Sequence, residues 1–230
     1  MENIEKQVKV KAADGERLLS EAETKRYYNL LDTQAKLESQ GYSRRDRIIS
    51  LAKANTIGNL VVLPIVLAIA GSYLLVNGMN FTPKACTERF GSLAAVWMIL
   101  SFVLAMLFVV VHELIHGLFW SFGAKNGWKD IEFGFVVQMF TPYCTCKSPI
   151  KKHIYLLGSM MPMTLLGIIP GIVAVILGNP FLLLFSVIHT FAGAGDILIS
   201  GMILKDNVEG KDVLIFDHPY DCGYILFERK

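Results

Sequence analysis

Charged residues fall in blocks along this chain, and the long intervals without them predict its main elements. Between Lys53 and Lys84 there is no Asp, Glu, Lys or Arg, and Ile57 to Val76 is predominantly apolar, about the 20 residues that a bilayer-crossing helix needs. Between Arg89 and Lys125 the single charged side chain is Glu113. Between Lys152 and Lys205 it is Asp196, with Gly178-Asn179-Pro180 supplying a turn midway. A charge at the bilayer centre costs roughly 2.5–3.5 kcal/mol, so these intervals predict four membrane spans, at about residues 57–77, 93–122, 153–177 and 181–204.

The flanking segments read differently. Residues 1–54 mix acids and bases, and Leu18, Leu19, Tyr27, Leu30, Leu31, Ala35 and Leu37 suggest helices with a narrow apolar stripe. No short apolar core follows a basic start, so this arm does not read as a signal peptide. In the tail, residues 206–230, Val213 to Phe216 and Tyr224 to Phe227 flank a turn-rich stretch and predict a hairpin or a pair of strands. The loop before the third span has a strand-like period, with Ile131, Phe133, Phe135, Val137 and Met139 on one face. The expected fold class is therefore all-α: an integral membrane four-helix bundle (55–205) with a cytoplasmic helical N-terminal arm (1–54) and small β elements in the loop and tail (206–230).

Basic residues set the orientation. Arg44, Arg45, Arg47 and Lys53, then Lys125, Lys129, Lys147, Lys151 and Lys152, then Lys205, all fall on one side of a four-span topology, against Lys84 and Arg89 on the other. Lys and Arg favour the cytoplasmic side. The expectation is a multi-pass cell-membrane protein with both termini in the cytoplasm.

Composition supports the membrane class: of 230 residues, 53% are hydrophobic and 18% charged, and the mean hydropathy is +0.45. A net charge of +2, with no basic run interleaved with aromatics, excludes a nucleic-acid groove. The four cysteines, Cys86, Cys144, Cys146 and Cys222, match neither a zinc knuckle nor a disulfide framework and read as reduced thiols. Cys144-Thr145-Cys146 reads as a pair of ordinary loop thiols.

The chemistry lies in the second span, at His112-Glu113-Leu114-Ile115-His116. Four residues apart on a helix, His112 and His116 project from one face, where both imidazoles can hold one metal ion with Glu113 beside them. Zn2+ in such a site takes three protein ligands and keeps a fourth position for water, whose pKa falls to about 7. Glu113 is then the general base. The metal ligands expected are His112, His116 and Asp196, the last being the other acid within the spans. His116 lies nine residues before Lys125 and Asp196 nine before Lys205, so both sit at similar depth below the basic boundary. Gly193 and Gly195 would let the fourth span approach the second closely.

His189, seven residues before Asp196 and so about two turns away on nearly the same face, is open to three roles: alternative third ligand, oxyanion partner or bundle histidine. His153 reads as interfacial and His218 as a surface residue of the tail turn. The strand-like loop at 131–140 has two readings: an edge on which an extended substrate backbone pairs, or a hairpin packed on the bundle.

Val111-His112-Glu113-Leu114-Ile115-His116-Gly117, Gly158 to Pro162 and Gly193-Ala194-Gly195-Asp196 together resemble a family of bacterial membrane zincin peptidases, and more distantly the site-2 intramembrane metalloproteases. The resemblance covers about residues 55–205. It implies zinc on His112, His116 and Asp196, catalysis by Glu113, and cleavage in or near the membrane. Site-2 proteases carry Asn and Pro ahead of an Asp-Gly pair, whereas here Ile197 follows Asp196 and the nearest preceding proline is Pro180.

The function expected is a zinc-dependent, membrane-embedded metalloprotease that cleaves a peptide bond in a membrane-associated protein or peptide, with the site in the cytoplasmic third of the bilayer. A non-catalytic membrane component, such as a transporter subunit or immunity factor, and a metal-dependent hydrolase of a non-peptide amide are the alternatives.

Overall fold

A computed structural model of the protein describes residues 8–136 and 141–230. The chain opens with a hairpin, β1 (Lys9–Ala12) and β2 (Gly15–Leu18), followed by helix α1 (Glu21–Glu38) and strand β3 (Ser43–Ile49). Ser20 starts α1 with a capping box: its hydroxyl accepts the Glu23 N–H, and the Glu23 carboxylate accepts from the Ser20 N–H. Three further helices follow: α2 (Leu51–Asn77), the short α3 (Pro83–Phe90) and α4 (Ala94–Ser121). A second hairpin, β4 (Ile131–Val136) and β5 (Thr141–Cys146), precedes the two-residue strand β6 (Ile150–Lys151).

From Lys152 the chain is helical to Leu177: α5 (Lys152–Pro162), a π-helical stretch over Met163–Ile168, and α6 (Ile169–Leu177). The π stretch follows Pro162, which has no N–H to give to the regular helical ladder. Then come α7 (Pro180–Ala192) and α8 (Ala194–Lys205), and the chain closes on strands β7 (Asp212–Asp217) and β8 (Cys222–Arg229).

Among the described residues three helical stretches are long and apolar enough to cross a membrane: Leu51–Asn77, Lys84–Ser121 and Lys152–Leu177. Only 11% of the most apolar window of the second is buried inside the protein, and Ile99, Leu107 and Val110 point outward. So large an apolar surface calls for an apolar surrounding, which associates the protein with a membrane. The stretch expected as a fourth straight span is broken. α7 and α8 meet at Gly193 with a 45° bend.

The expected all-α class does not hold. About 64% of the protein is helical and 19% is strand, the strands forming three sheets, so the fold is mixed, a helical bundle joined to a β layer. The largest sheet has the order β3-β8-β7-β6, all antiparallel. Its central strand β8 buries Tyr224, Ile225, Leu226 and Phe227 completely, because alternate side chains enter two different cores. Tyr224 and Leu226 pack with Ile215, Trp120, Tyr155 and Ile203 at the ends of the membrane-length helices. Ile225 and Phe227 pack with Leu30, Leu37 and Tyr42 of the N-terminal arm.

The arm is thus one outer layer of a three-layer unit: α1, sheet, bundle. Its expected helical character fails at the β1–β2 hairpin, where Leu18 lies on a strand, and at β3, whose run Ser43-Arg44-Arg45-Asp46-Arg47 reads as a basic flank to the first span. The register opposes Arg45 to Leu226 and Arg47 to Tyr224, and the arginines find acids across the sheet: Arg47 with Asp206 at 2.7 Å and Arg45 with Glu228 at 3.3 Å. The tail hairpin of β7 and β8 is as expected from the sequence.

Close packing of the first apolar helix rests on Gly58. A Cβ there would lie 2.7 Å from the Ala194 carbonyl oxygen, so α2 and the start of α8 meet at backbone distance. Gly193 and Gly195 serve differently from expectation: Gly193 packs on the Met163 side chain, and a Cβ on Gly195 would meet nothing within 4 Å.

Candidate metal centre

α4 carries His112 and His116 one turn apart on its buried face, each 3% exposed, with Glu113 half-buried beside them. Ring centroids of the two histidines are 4.9 Å apart. One potential ligand atom each from His112, Glu113 and His116 lies within 4.8 Å of the others. The bend at Gly193 starts α8 beside this face and puts Asp196 in its first turn. Asp196 Oδ2 is 3.2 Å from His112 Nε2 and 3.4 Å from His116 Nε2. The four residues singled out in the sequence therefore meet at one point.

The His116 ring is fixed from behind. Its Nδ1 lies 2.9 Å from the Gly158 carbonyl oxygen, which can only accept, so Nδ1 carries the proton. Gly158 is required at this contact, since a Cβ would fall 2.2 Å from Trp120 Cδ1. Trp120, one turn after His116, stacks on the imidazole at 5.0 Å and donates its Nε1–H to the Tyr155 carbonyl at 3.1 Å. Tyr155 stacks on Trp120 in turn, and its hydroxyl donates to Asp217 Oδ1 at 2.7 Å. Asp217 Oδ2 also accepts from Thr145 Oγ1 at 2.8 Å and from the Cys146 N–H at 3.0 Å. A stacked and hydrogen-bonded chain thus runs from the metal-facing imidazole to the end of β7.

These supporting residues were not found from the sequence. Trp120 had a usable signal, the i+4 spacing from His116 that brings rings together on a helix. Tyr155 and Asp217 had none, since their link is tertiary.

The β4–β5 hairpin lies directly on α4. A Cβ on Gly117 would come within 2.8 Å of Ile131 and Phe133 and 3.4 Å of Cys144 Sγ, and the Cys144 backbone N–H faces the Glu113 carboxylate. Cys144 and Cys146, expected on a loop, are on strand β5. Burial pushes the Cys144 thiol far up and the Cys146 thiol up to about 11, so both favour the protonated form at neutral pH. All four cysteines are free, as expected. Arg26 of α1 reaches the hairpin through the Tyr143 hydroxyl, and Asn29 donates to the Lys147 carbonyl at 2.8 Å, tying the arm to the site. The loop's strand-like period holds over β4, while Val137 and Met139 lie outside the described residues.

His189 does not converge on Asp196, because the bend at Gly193 separates their helices. It stands behind His112, ring centroids 6.5 Å apart. His153 is exposed at the start of α5. His218 is not the surface residue expected: it is 9% exposed, accepts the Asp221 N–H at 3.0 Å, and burial lowers its pKa.

Residues 105–209, which contain His112, Glu113, His116 and Asp196, match a family model described as "putative zincin peptidase". This segment is similar to the family described as putative zincin peptidases. The class expected from the sequence, a zinc metallopeptidase with a His-Glu-x-x-His helix, is the class of that family. No curated protein and no solved structure matches the chain.

The donor set of the matched segment fits the metal the family implies. His116 holds a proton on Nδ1, so in the neutral ring the Nε2 lone pair points at a carboxylate oxygen, an arrangement that a metal cation between them satisfies, as a second proton on the ring would. Zinc binds imidazole nitrogen and carboxylate oxygen at about 2.0–2.2 Å, which puts neighbouring donors of a tetrahedron roughly 3.3–3.5 Å apart. The separations of 3.2 and 3.4 Å are of that size.

Proposed function

We propose that the protein is a zinc-dependent metalloprotease embedded in the cell membrane, with His112, His116 and Asp196 as metal ligands and Glu113 as catalytic residue. The observation that carries this is the convergence of both Nε2 atoms on Asp196 Oδ2 with Glu113 alongside. Zinc bound there would act as a Lewis acid and lower the pKa of water to about 7. Glu113 follows His112 directly on α4 and is only half-buried, so it can take a proton from the attacking water and return it to the departing amide nitrogen. The Cys144 N–H beside it orients the carboxylate.

The substrate is a membrane-associated protein or peptide. Proteolysis needs an extended backbone, and among the described residues β4 and β5 pair only with each other, leaving an outer edge of a hairpin that rests on α4 for strand addition. The bundle crosses the membrane with the basic segments, both termini and the sheet on the cytoplasmic side, and the metal centre sits in the cytoplasmic third.

The test is Glu113→Gln in the purified, membrane-reconstituted protein. Zinc content should be unchanged while turnover of a processed membrane substrate falls by a factor of about 10²–10⁴, the usual contribution of a positioned acid–base group. A variant that processes the substrate as well as wild type would leave the non-catalytic reading, and lipid rather than peptide products would leave the non-peptide hydrolase.

A further inference from the structure

The two imidazoles on α4 are held unequally. His116 has its Nδ1–H on the Gly158 carbonyl, the usual arrangement for a metal-binding histidine, whose second nitrogen almost always has a partner that fixes tautomer and ring orientation. His112 is just as buried, yet its Nδ1 makes no hydrogen bond among the described residues. Beside it is a second polar ring in the same state. His189 is fully buried, and among the described residues neither of its nitrogens has a hydrogen-bond partner, the Ala105 backbone nearby being outside hydrogen-bond geometry.

Packing does not explain a histidine at 189. Phe185 and Phe108 flank its ring at 4.5 and 6.4 Å, and Ala105, Leu166 and Phe185 form the adjoining apolar cluster. A phenylalanine or leucine would fill the same space without burying unpaired nitrogens. What distinguishes the position is its neighbour. The His112 and His189 rings are nearly parallel, 19° apart in plane, with centroids 6.5 Å apart. For ring nitrogens facing edge to edge, a direct N–H···N bond of about 3 Å puts the centroids roughly 5–5.5 Å apart and one bridging water roughly 6.5–7 Å apart, so the 6.5 Å found leaves room for a water between the rings. Buried waters are found where polar groups otherwise go unsatisfied.

We infer that His189 is a positioning residue of the metal centre: through one buried water it accepts the Nδ1–H of His112, and so keeps the Nε2 of that ring free for the zinc ion. His112 and His116 are then fixed by the same device, one through a backbone carbonyl and the other through a water and a second imidazole. The inference rests on the zinc reading of the site.

The test is zinc affinity of the full-length protein in detergent, by competition with a chromophoric chelator, for wild type, His189→Phe, His189→Gln and, as control, His116→Ala. Loss of the acceptor in His189→Phe should weaken zinc binding about 10–100-fold. His189→Gln, which can still accept from the water, should stay within about threefold of wild type, and both variants should bind one zinc per chain at saturation. His189→Leu replaces the phenylalanine variant should that one fail to fold. Wild-type affinity in His189→Phe overturns the inference, as does a glutamine variant as weak as the phenylalanine one, which would make the ring's shape the cause. Loss of stoichiometric zinc in both would make His189 a ligand and overturns it too. If wild type itself bound no more zinc than His116→Ala, the zinc reading would fall first, and this inference with it.

Discussion

His116 Nε2 and Asp196 Oδ2 face each other across 3.4 Å, brought together from separate helices although the nitrogen's ring has already given its Nδ1–H to Gly158. A metal cation between them, or a second proton on the ring, holds such a pair together. Metal binding should therefore stabilise the folded state by mass action, about 2.7 kcal/mol at a hundredfold excess over Kd. Thermal melting in detergent should show wild type losing several degrees on chelation. Asp196→Ala should melt at the same temperature with and without chelator; an equal chelator effect in both proteins would place the stabilising metal elsewhere.

Gly158 is where the bundle admits no side chain. An alanine Cβ would meet Trp120 at 2.2 Å, so Gly158→Ala must push Trp120 away or shift the carbonyl that holds His116. Overpacking of this kind costs about 1–3 kcal/mol. Its melting temperature should fall, and its zinc affinity should fall with it, since Trp120 and the carbonyl both position one ligand. Gly195→Ala, at a position with open space around it, is the comparison and should leave both unchanged.

Much of this site was visible in the chain. The His-Glu-x-x-His spacing fixes two side chains on one helical face whatever the tertiary fold, and the rarity of acids in apolar intervals singled out Asp196. The three membrane-length helices and the β7–β8 hairpin were legible for the same reason, since each is encoded by local pattern. What escaped depends on distant partners. β3 reads as a basic flank because Arg45 and Arg47 pair with Glu228 and Asp206, residues far along the chain, and this hid the sheet that makes the fold mixed rather than all-α. β5 was hidden because Thr141-Pro142-Tyr143 has no alternation to read. The bend at Gly193 was invisible in an unbroken apolar run, and it is what separates His189 from Asp196. His218 reads as a surface residue of the tail turn because Asp46 of β3, which lies 3.8 Å from its ring in the fold, is far away in sequence.

The arm–tail contact gives a pH dependence. Burial alone would raise the Asp206 carboxyl, but hydrogen bonds from Arg47 and Tyr224 outweigh it and hold its pKa below the ordinary value. A depressed carboxylate contributes stability that is fully present above its unfolded pKa of about 3.9 and is lost as pH falls through the folded value. The melting temperature of wild type should thus be level from neutral pH to about pH 5 as far as this group is concerned, and drop below about pH 4. Asp206→Asn should melt lower at neutral pH and show a shallower acid drop; an equally steep drop would assign the acid sensitivity to other carboxylates.

The most direct measurement is metal analysis of the purified protein beside His116→Ala and Asp196→Ala. Wild type should carry about one zinc per chain, as expected for a single centre with three protein ligands, and both variants should lose it while their helical content stays unchanged. Zinc retained at wild-type affinity by folded Asp196→Ala would contradict the assignment of the centre to α4 and α8 together.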